Sequence, residues 1–143
     1  MEQLLSRLNP QQRQAAETID GPLLIIAGAG SGKTGVITTR IAHMVTRGIS
    51  PSSILAMTFT NKAAGEMKDR VKEMLAGLEV EGIVPGTEPA MSAKAAATDL
   101  TISTFHAFGL AMLRRYGRQL GYRPNFTVYD TGDQVALLKE AAR

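Results

Sequence analysis

The stretch Leu23-Leu24-Ile25-Ile26-Ala27-Gly28-Ala29-Gly30-Ser31-Gly32-Lys33-Thr34 constrains this chain more than any other. Branched apolar residues give way to small ones and then to Gly-Lys-Thr. That order predicts a buried strand, a tight loop and the first turn of a helix. In such a loop successive backbone N–H groups converge on a concave anion site. The helix behind it adds unpaired N–H groups and the positive end of its dipole. The pattern is G-x-x-x-x-G-K-[ST], with Ala27 in the first glycine position. In that pattern Lys33 reaches the β- and γ-phosphates and the Thr34 hydroxyl binds Mg²⁺. Glycine-rich strand-to-helix turns also arise for packing alone, but a Lys-Thr pair at this spacing after a strand points to a nucleotide site.

The totals set broad limits. A chain of 143 residues suffices for one domain with a real core and little more. With 44% hydrophobic and 20% charged residues the composition is that of a globular chain, not a disordered one. No apolar run approaches the roughly 20 residues a membrane-spanning helix needs, and no secretory signal opens the chain. The absence of cysteine excludes a disulfide framework and a cysteine-ligated zinc site. The expected compartment is therefore the cytoplasm. A net charge of +3 says little, but its distribution says more. Residues 101–125 hold Arg114, Arg115, Arg118 and Arg123 and no acid, whereas residues 77–99 hold Glu79, Glu81, Glu88 and Asp99 against Lys94 alone. The arginines read either as a solvated helix face or as a surface for phosphates.

Ahead of the glycine-rich loop, Leu4, Leu5 and Leu8 form a short amphipathic lead. Asn9-Pro10 then suits a helix start, with Asn as cap and Pro at the first helical position. That helix ends before Gly21-Pro22 and carries Gln12 close to the loop, where a side-chain amide can pair with an adenine edge. After the loop, Val36, Ile37, Ile41, Met44 and Val45 recur at helical spacing up to Gly48. Gly35 is an unusual choice in a first turn, since glycine weakens a helix by about 1 kcal/mol. His43 on this helix reads as a boundary residue. Residues 54–59 predict a second strand, and Ala63, Met67, Val71 and Met74 mark one face of a further helix.

Strand, loop and helix, twice repeated, imply right-handed crossovers and a parallel sheet covered by helices. In open sheets of this kind ligands lie beyond the carboxyl ends of the strands. Residues 76–99, with Gly77, Gly82, Pro85, Gly86 and Pro89, predict a long loop. Leu100 to Ser103 predict a third strand, with Thr104-Phe105-His106 at its end and a helix beyond. Phe126 to Asp130 read as an extended piece. Thr131-Gly132-Asp133-Gln134 read as a capping box opening a last helix, still amphipathic at Arg143, so the chain reads as cut rather than finished. Asp130 is a poor candidate for a Walker B acid, because no Glu follows it, and no arginine finger can be assigned.

The expected strand ends converge on one edge: the phosphate loop, Thr58-Phe59-Thr60-Asn61-Lys62, and Thr104-Phe105-His106. A ring beside hydroxyl and cationic groups is how single-stranded nucleic acid is held. The competing reading makes Phe59 and Phe105 core aromatics.

Leu8-Asn9-Pro10-Gln11-Gln12, the Ala27-to-Thr34 loop, Thr58-Phe59-Thr60-Asn61-Lys62-Ala63-Ala64 and Thr104-Phe105-His106 occur in that order. Together they resemble the N-terminal part of UvrD/Rep/PcrA-type superfamily 1 DNA helicases. The resemblance implies an α/β chain: part of a RecA-like P-loop NTPase domain over residues 1–104, then the start of a helical insertion over residues 105–143. It implies that Gln12 reads adenine and that Ala27, Gly28, Ala29, Gly30, Ser31, Gly32, Lys33 and Thr34 hold ATP with Mg²⁺. It also implies that Thr58, Phe59, Thr60, Asn61, Lys62, Thr104, Phe105 and His106 face single-stranded DNA or a junction with duplex.

The activity implied is ATP-dependent 3′-to-5′ unwinding by a longer chain whose other helicase domains complete the motor, a segment this size being inactive alone. Two features depart from the family: Gly35 stands where an arginine often helps hold the nucleotide, and residues 77–99 are long. A helicase–nuclease subunit of the RecB or AddA type shares these motifs. A free-standing nucleotide- or DNA-binding module without hydrolysis is the other alternative.

Overall fold

The computed structural model describes residues 1–80 and 98–142. It contains α1 (Glu2–Leu5), α2 (Pro10–Glu17), α3 (Lys33–Thr46), β1 (Leu55–Thr58), α4 (Asn61–Val80), β2 (Thr101–Thr104), α5 (Phe105–Tyr116) and α6 (Thr131–Ala141). Short 3-10 turns lie at Pro51–Ser53 and Gly117–Leu120. None of the described helices is long and apolar enough to cross a membrane. The chain divides into two compact units, Met1–Phe105 and His106–Arg143.

In the first unit, β1 and β2 pair in parallel with Leu55 opposite Thr101 and Thr58 opposite Thr104. The expected parallel pairing is present, and it joins residues distant in sequence. Helices α3 and α4 supply the apolar faces that cover it. Ile41, Ala42 and Val45 of α3 and Met67, Val71, Leu75 and Leu78 of α4 are buried with Ile54, Ala56 and Leu100 in one cluster. Val71 and Leu75 are almost wholly removed from water, which stabilises the unit by about 1.5–3 kcal/mol per side chain.

Three expectations are corrected. Residues 23–26 belong to no strand, since among the described residues only β1 and β2 form a sheet. Leu24 and Ile26 are 83% and 90% exposed, whereas Leu23 and Ile25 line a groove with Ile37, Met44, Leu55 and Met57. The alternation in exposure is that of a strand, with Leu23 and Ile25 at 41% and 40% on the less exposed side; what it lacks is a hydrogen-bonding neighbour among the described residues. Second, α4 continues through Gly77 to Val80, because Leu75 and Leu78 bury on the face already used by Met67 and Val71. Residues 76–80 of the anticipated loop are therefore helical, and its residues 81–97 lie outside the described residues. Third, the last helix is capped by Asp130, not Thr131. The Asp130 carboxylate accepts from the Asp133 N–H at 2.9 Å, and Asp133 returns the contact to the Asp130 N–H at 3.1 Å.

The second unit holds most of α5, the 3-10 turn and α6. Gly121 closes the turn at a φ of 84°, and Tyr122 stacks obliquely on Phe126 with ring centroids 5.7 Å apart. Neither α5 nor α6 has a buried residue, and Arg114, Arg115, Arg118 and Arg123 are all exposed.

Candidate nucleotide and nucleic-acid site

The glycine-rich loop is built as the sequence requires. Gly30 and Gly32 have φ of 73° and 77°, a left-handed conformation that side chains resist, and Gly32 caps α3 from that position. The first intrahelical bond runs from the Val36 N–H to the Gly32 carbonyl, leaving the N–H groups of Lys33, Thr34 and Gly35 without an intrahelical acceptor. Residues Gly28 to Thr34 are exposed, with Ala27 half-buried.

The loop is folded on itself. The Lys33 ammonium donates to the carbonyls of Gly28 at 2.5 Å and Ala27 at 3.2 Å, and the Ser31 hydroxyl donates to Gly28 at 2.7 Å. A cation resting on neutral carbonyls is held more weakly than one facing an anionic oxygen. Lys33 is thus parked on the loop's own carbonyls. Ala29 sits in the same exposed loop, and Thr34 lies in the first turn of α3 with an exposed side chain.

Helix α2 brings Gln12 to this loop. Asn9 and Gln12 form a reciprocal capping box, in which the Gln12 N–H donates to Asn9 Oδ1 and the Asn9 N–H donates to Gln12 Oε1, both at 2.9 Å. Gln12 Nε2 donates across to the Ser31 carbonyl at 3.0 Å. A Cβ on Gly32 would lie 3.1 Å from that same nitrogen, so the end of the Gln12 side chain would have to shift by a few tenths of an ångström. Between α2 and the loop is a cavity of about 290 Å³ with an apolar wall of Ile25, Ile26, Val36 and Ile37 and a polar rim of Gln12, Ser31 and Lys33. Apolar walls with a few convergent polar groups suit a planar ligand.

Sequence reasoning missed the residue that holds α2 from its other end. Arg40 Nη1 donates to the carbonyl of Ala15 at 2.9 Å and to that of Thr18. Its partners are backbone oxygens on another helix, for which a sequence offers no signal. Arg13 on α2 also forks onto the Glu2 carboxylate at 2.6 and 3.1 Å and reaches Glu17 at 3.0 Å. That guanidinium holds the Glu2 carboxyl below its ordinary range. His43, near the far end of α3, has its Nδ1 buried without a hydrogen bond among the described residues, and burial pushes its pKa below the ordinary value.

The second candidate surface follows from strand register. Because Thr58 pairs with Thr104, the next residues of the two strands emerge side by side. The rings of Phe59 and Phe105 lie 5.4 Å apart at an interplanar angle of 37°, and Phe59 is 87% exposed against 47% for Phe105. Neither ring is in the core. Thr60 turns the chain into α4: its hydroxyl accepts from the Ala63 N–H at 3.1 Å, and its carbonyl accepts from Thr58 Oγ1 at 3.0 Å. Asn61 and Lys62 are exposed on the first turn of α4, with Lys62 4.0 Å from Glu66. Thr104 is buried at the end of β2. His106 is exposed in the first turn of α5 and belongs to the second unit.

Among the described residues no group of three or more His, Asp or Glu side chains could hold a metal ion. The donor available to Mg²⁺ beside the loop is the Thr34 hydroxyl. That fits an ion carried mainly by phosphate oxygens and water, as Mg²⁺ commonly is.

The UvrD/REP helicase N-terminal domain matches residues 8–143. The chain is 48% identical over 138 residues to the ATP-dependent DNA helicase PcrA of Bacillus subtilis, covering 96% of this chain and 16% of that protein. It is 47% identical over 135 residues to the ATP-dependent DNA helicase Rep of Escherichia coli, covering 94% of this chain and 18% of that protein. PcrA of Leuconostoc citreum is 44% identical over 140 residues, covering 97% and 16%. The chain thus spans less than a fifth of the length of these relatives. On the strength of that match, this chain belongs to the UvrD/REP helicase N-terminal domain family.

Proposed function

We propose that the chain is the ATP-binding N-terminal part of a longer, cytoplasmic, ATP-dependent DNA helicase that moves 3′ to 5′ on single-stranded DNA and opens duplex at junctions. The observation that carries this reading is the loop itself: Lys33 parked on its own carbonyls beneath an exposed helix N-terminus, with the Gln12 cavity alongside.

In this reading the triphosphate displaces the Gly28 and Ala27 carbonyls from Lys33 and takes the N–H groups of residues Ala27 to Thr34. The Thr34 hydroxyl contributes to holding Mg²⁺, which neutralises phosphate charge when bound. The base enters the cavity walled by Ile25, Ile26 and Ile37, and Gln12 turns its amide to an adenine edge. Glutamine matches the N6 donor and N7 acceptor of adenine with one acceptor and one donor.

Residues 1–104 act as part of a RecA-like domain and residues 105–143 begin a helical insertion. The segment at 23–26 supports that reading, since its apolar residues, alternating in exposure, have strand composition and a further strand from the longer protein would pair with its backbone. DNA bases stack on the Phe59 and Phe105 rings while Thr58, Thr60, Asn61 and Lys62 meet the phosphates. Thr104 shapes the strand end beneath them, and His106 extends the same motif along α5.

Unwinding of partial duplexes by the full-length protein tests the proposal. ATP-dependent displacement from a 3′-tailed substrate and none from a 5′-tailed one is expected. Displacement from the 5′-tailed substrate alone, or displacement without ATP, would contradict it.

A further inference from the structure

Helix α2 is only eight residues long, and an isolated helix of that length does not hold itself in water. Its first turn is fixed to the phosphate loop by the Gln12 bond to Ser31. Its last turn leaves carbonyls with no intrahelical donor. The Gln14 carbonyl is taken by the Thr18 N–H at 2.9 Å and by the Thr18 hydroxyl at 2.8 Å. The Ala15 carbonyl, and that of Thr18 beyond it, are taken by Arg40 of α3. A cation at that end also faces the negative pole of the helix. Arg40 lies on the same helix as Lys33 and Thr34, so one rigid element carries both the phosphate groups and the anchor for the glutamine helix.

We infer that Arg40 is a positioning residue for base recognition: it pins the end of α2 to α3 so that the Gln12 amide meets the base at a fixed distance from the phosphates. This rests on the reading of Gln12 as the adenine-recognising group. A bidentate amide contact tolerates little movement, and a loosened α2 would still leave the phosphate loop intact on α3. Loss of Arg40 therefore weakens base discrimination while sparing turnover once nucleotide is bound.

The experiment compares DNA-stimulated hydrolysis of ATP and GTP by the full-length protein in wild type, Arg40→Ala, Arg40→Lys and Gln12→Ala forms. Arg40→Ala is expected to raise the KM for ATP about tenfold and to lower the ATP-over-GTP ratio of kcat/KM by a similar factor, the scale of one bidentate base contact. Its kcat for ATP is expected to stay within about twofold of wild type, since the phosphate groups are untouched. Arg40→Lys, which keeps a cationic donor at this position, is expected to recover part of the ratio. Gln12→Ala is expected to lose the ratio as well.

A lowered melting temperature for Arg40→Ala with an unchanged ratio would make Arg40 a structural staple only and overturn the inference. An unchanged ratio in Gln12→Ala would overturn the reading of Gln12 and the inference with it. A lost ratio in Gln12→Ala beside an unchanged one in Arg40→Ala would overturn the inference alone. Should Arg40→Ala not fold, Arg40→Met, which keeps an unbranched stem and removes the donors, is held to the same ratio test.

Discussion

The side chain of Gln12 closes on the carbonyl of Ser31, its Nε2 donating at 3.0 Å across nineteen residues of sequence. Its Oε1 is at the same time taken by the Asn9 N–H at 2.9 Å. Both ends of the amide are therefore engaged, one in capping α2 and one in holding the phosphate loop. Each end has capacity for one more hydrogen bond, so a base can pair with Gln12 while its bond to the loop persists.

Asn9 is the more purely structural half of this pair. Replacing Asn9 by Ala removes the acceptor for the Gln12 N–H and is expected to cost about 1 kcal/mol of stability, the usual loss for such a cap. Urea unfolding followed by circular dichroism measures it.

Gly35 lies inside α3, and a Cβ there would meet nothing within 4 Å. Gly35→Ala is expected to stabilise the fold by about 0.5–1 kcal/mol, through helix propensity and a less flexible unfolded chain. A raised denaturation midpoint with an unchanged slope is the expected signature.

The exposed ring pair is expected to act on DNA and not on nucleotide. Phe59→Ala and Phe105→Ala should each weaken binding of a fluorescent oligothymidine by about 1–3 kcal/mol, the scale of one stacked base. Binding of a fluorescent ATP analogue should be unchanged in both. Because the rings touch, their double mutant should lose less than the sum of the singles.

His43 gives a pH dependence. Its pKa is held below the ordinary 6.5, mainly by burial and then by Arg47 and Arg40, with Glu17 acting in the opposite sense. The unfolded chain then takes up the proton at a higher pH than the folded one. The contribution to stability is complete above about pH 6.5 and is lost as pH falls through the folded value. Melting temperatures between pH 7.5 and 5 are expected to fall more steeply for the wild type than for His43→Gln.

Local chemistry was legible in the sequence and long-range pairing was not. Asn9-Pro10 marks the start of α2 and Gly-Lys-Thr marks the start of α3, because caps and tight turns are settled within a few residues. The apolar period of α4 was readable through Met74, but its continuation past Gly77 depends on Leu75 and Leu78 finding a core. Residues 23–26 have strand composition, yet a strand is made by its neighbour, and among the described residues it has none. Phe59 and Phe105 were recognisable as strand-end residues. That they touch follows from the parallel register of Thr58 with Thr104, which composition does not contain. Arg40 was invisible for the same reason, since its partners are carbonyls 25 and 22 residues away.

The central claim is that the Lys33 ammonium, parked on Gly28 and Ala27, is the group that grips the nucleotide phosphates. The direct measurement is phosphate release by the full-length protein, with and without single-stranded DNA, in wild type and Lys33→Ala forms. Strong stimulation by DNA in the wild type is predicted, with a loss of at least about 10²–10³-fold in Lys33→Ala, the effect of removing one preorganised electrostatic group, and an unchanged circular dichroism spectrum. Undiminished DNA-stimulated turnover in Lys33→Ala would contradict the account.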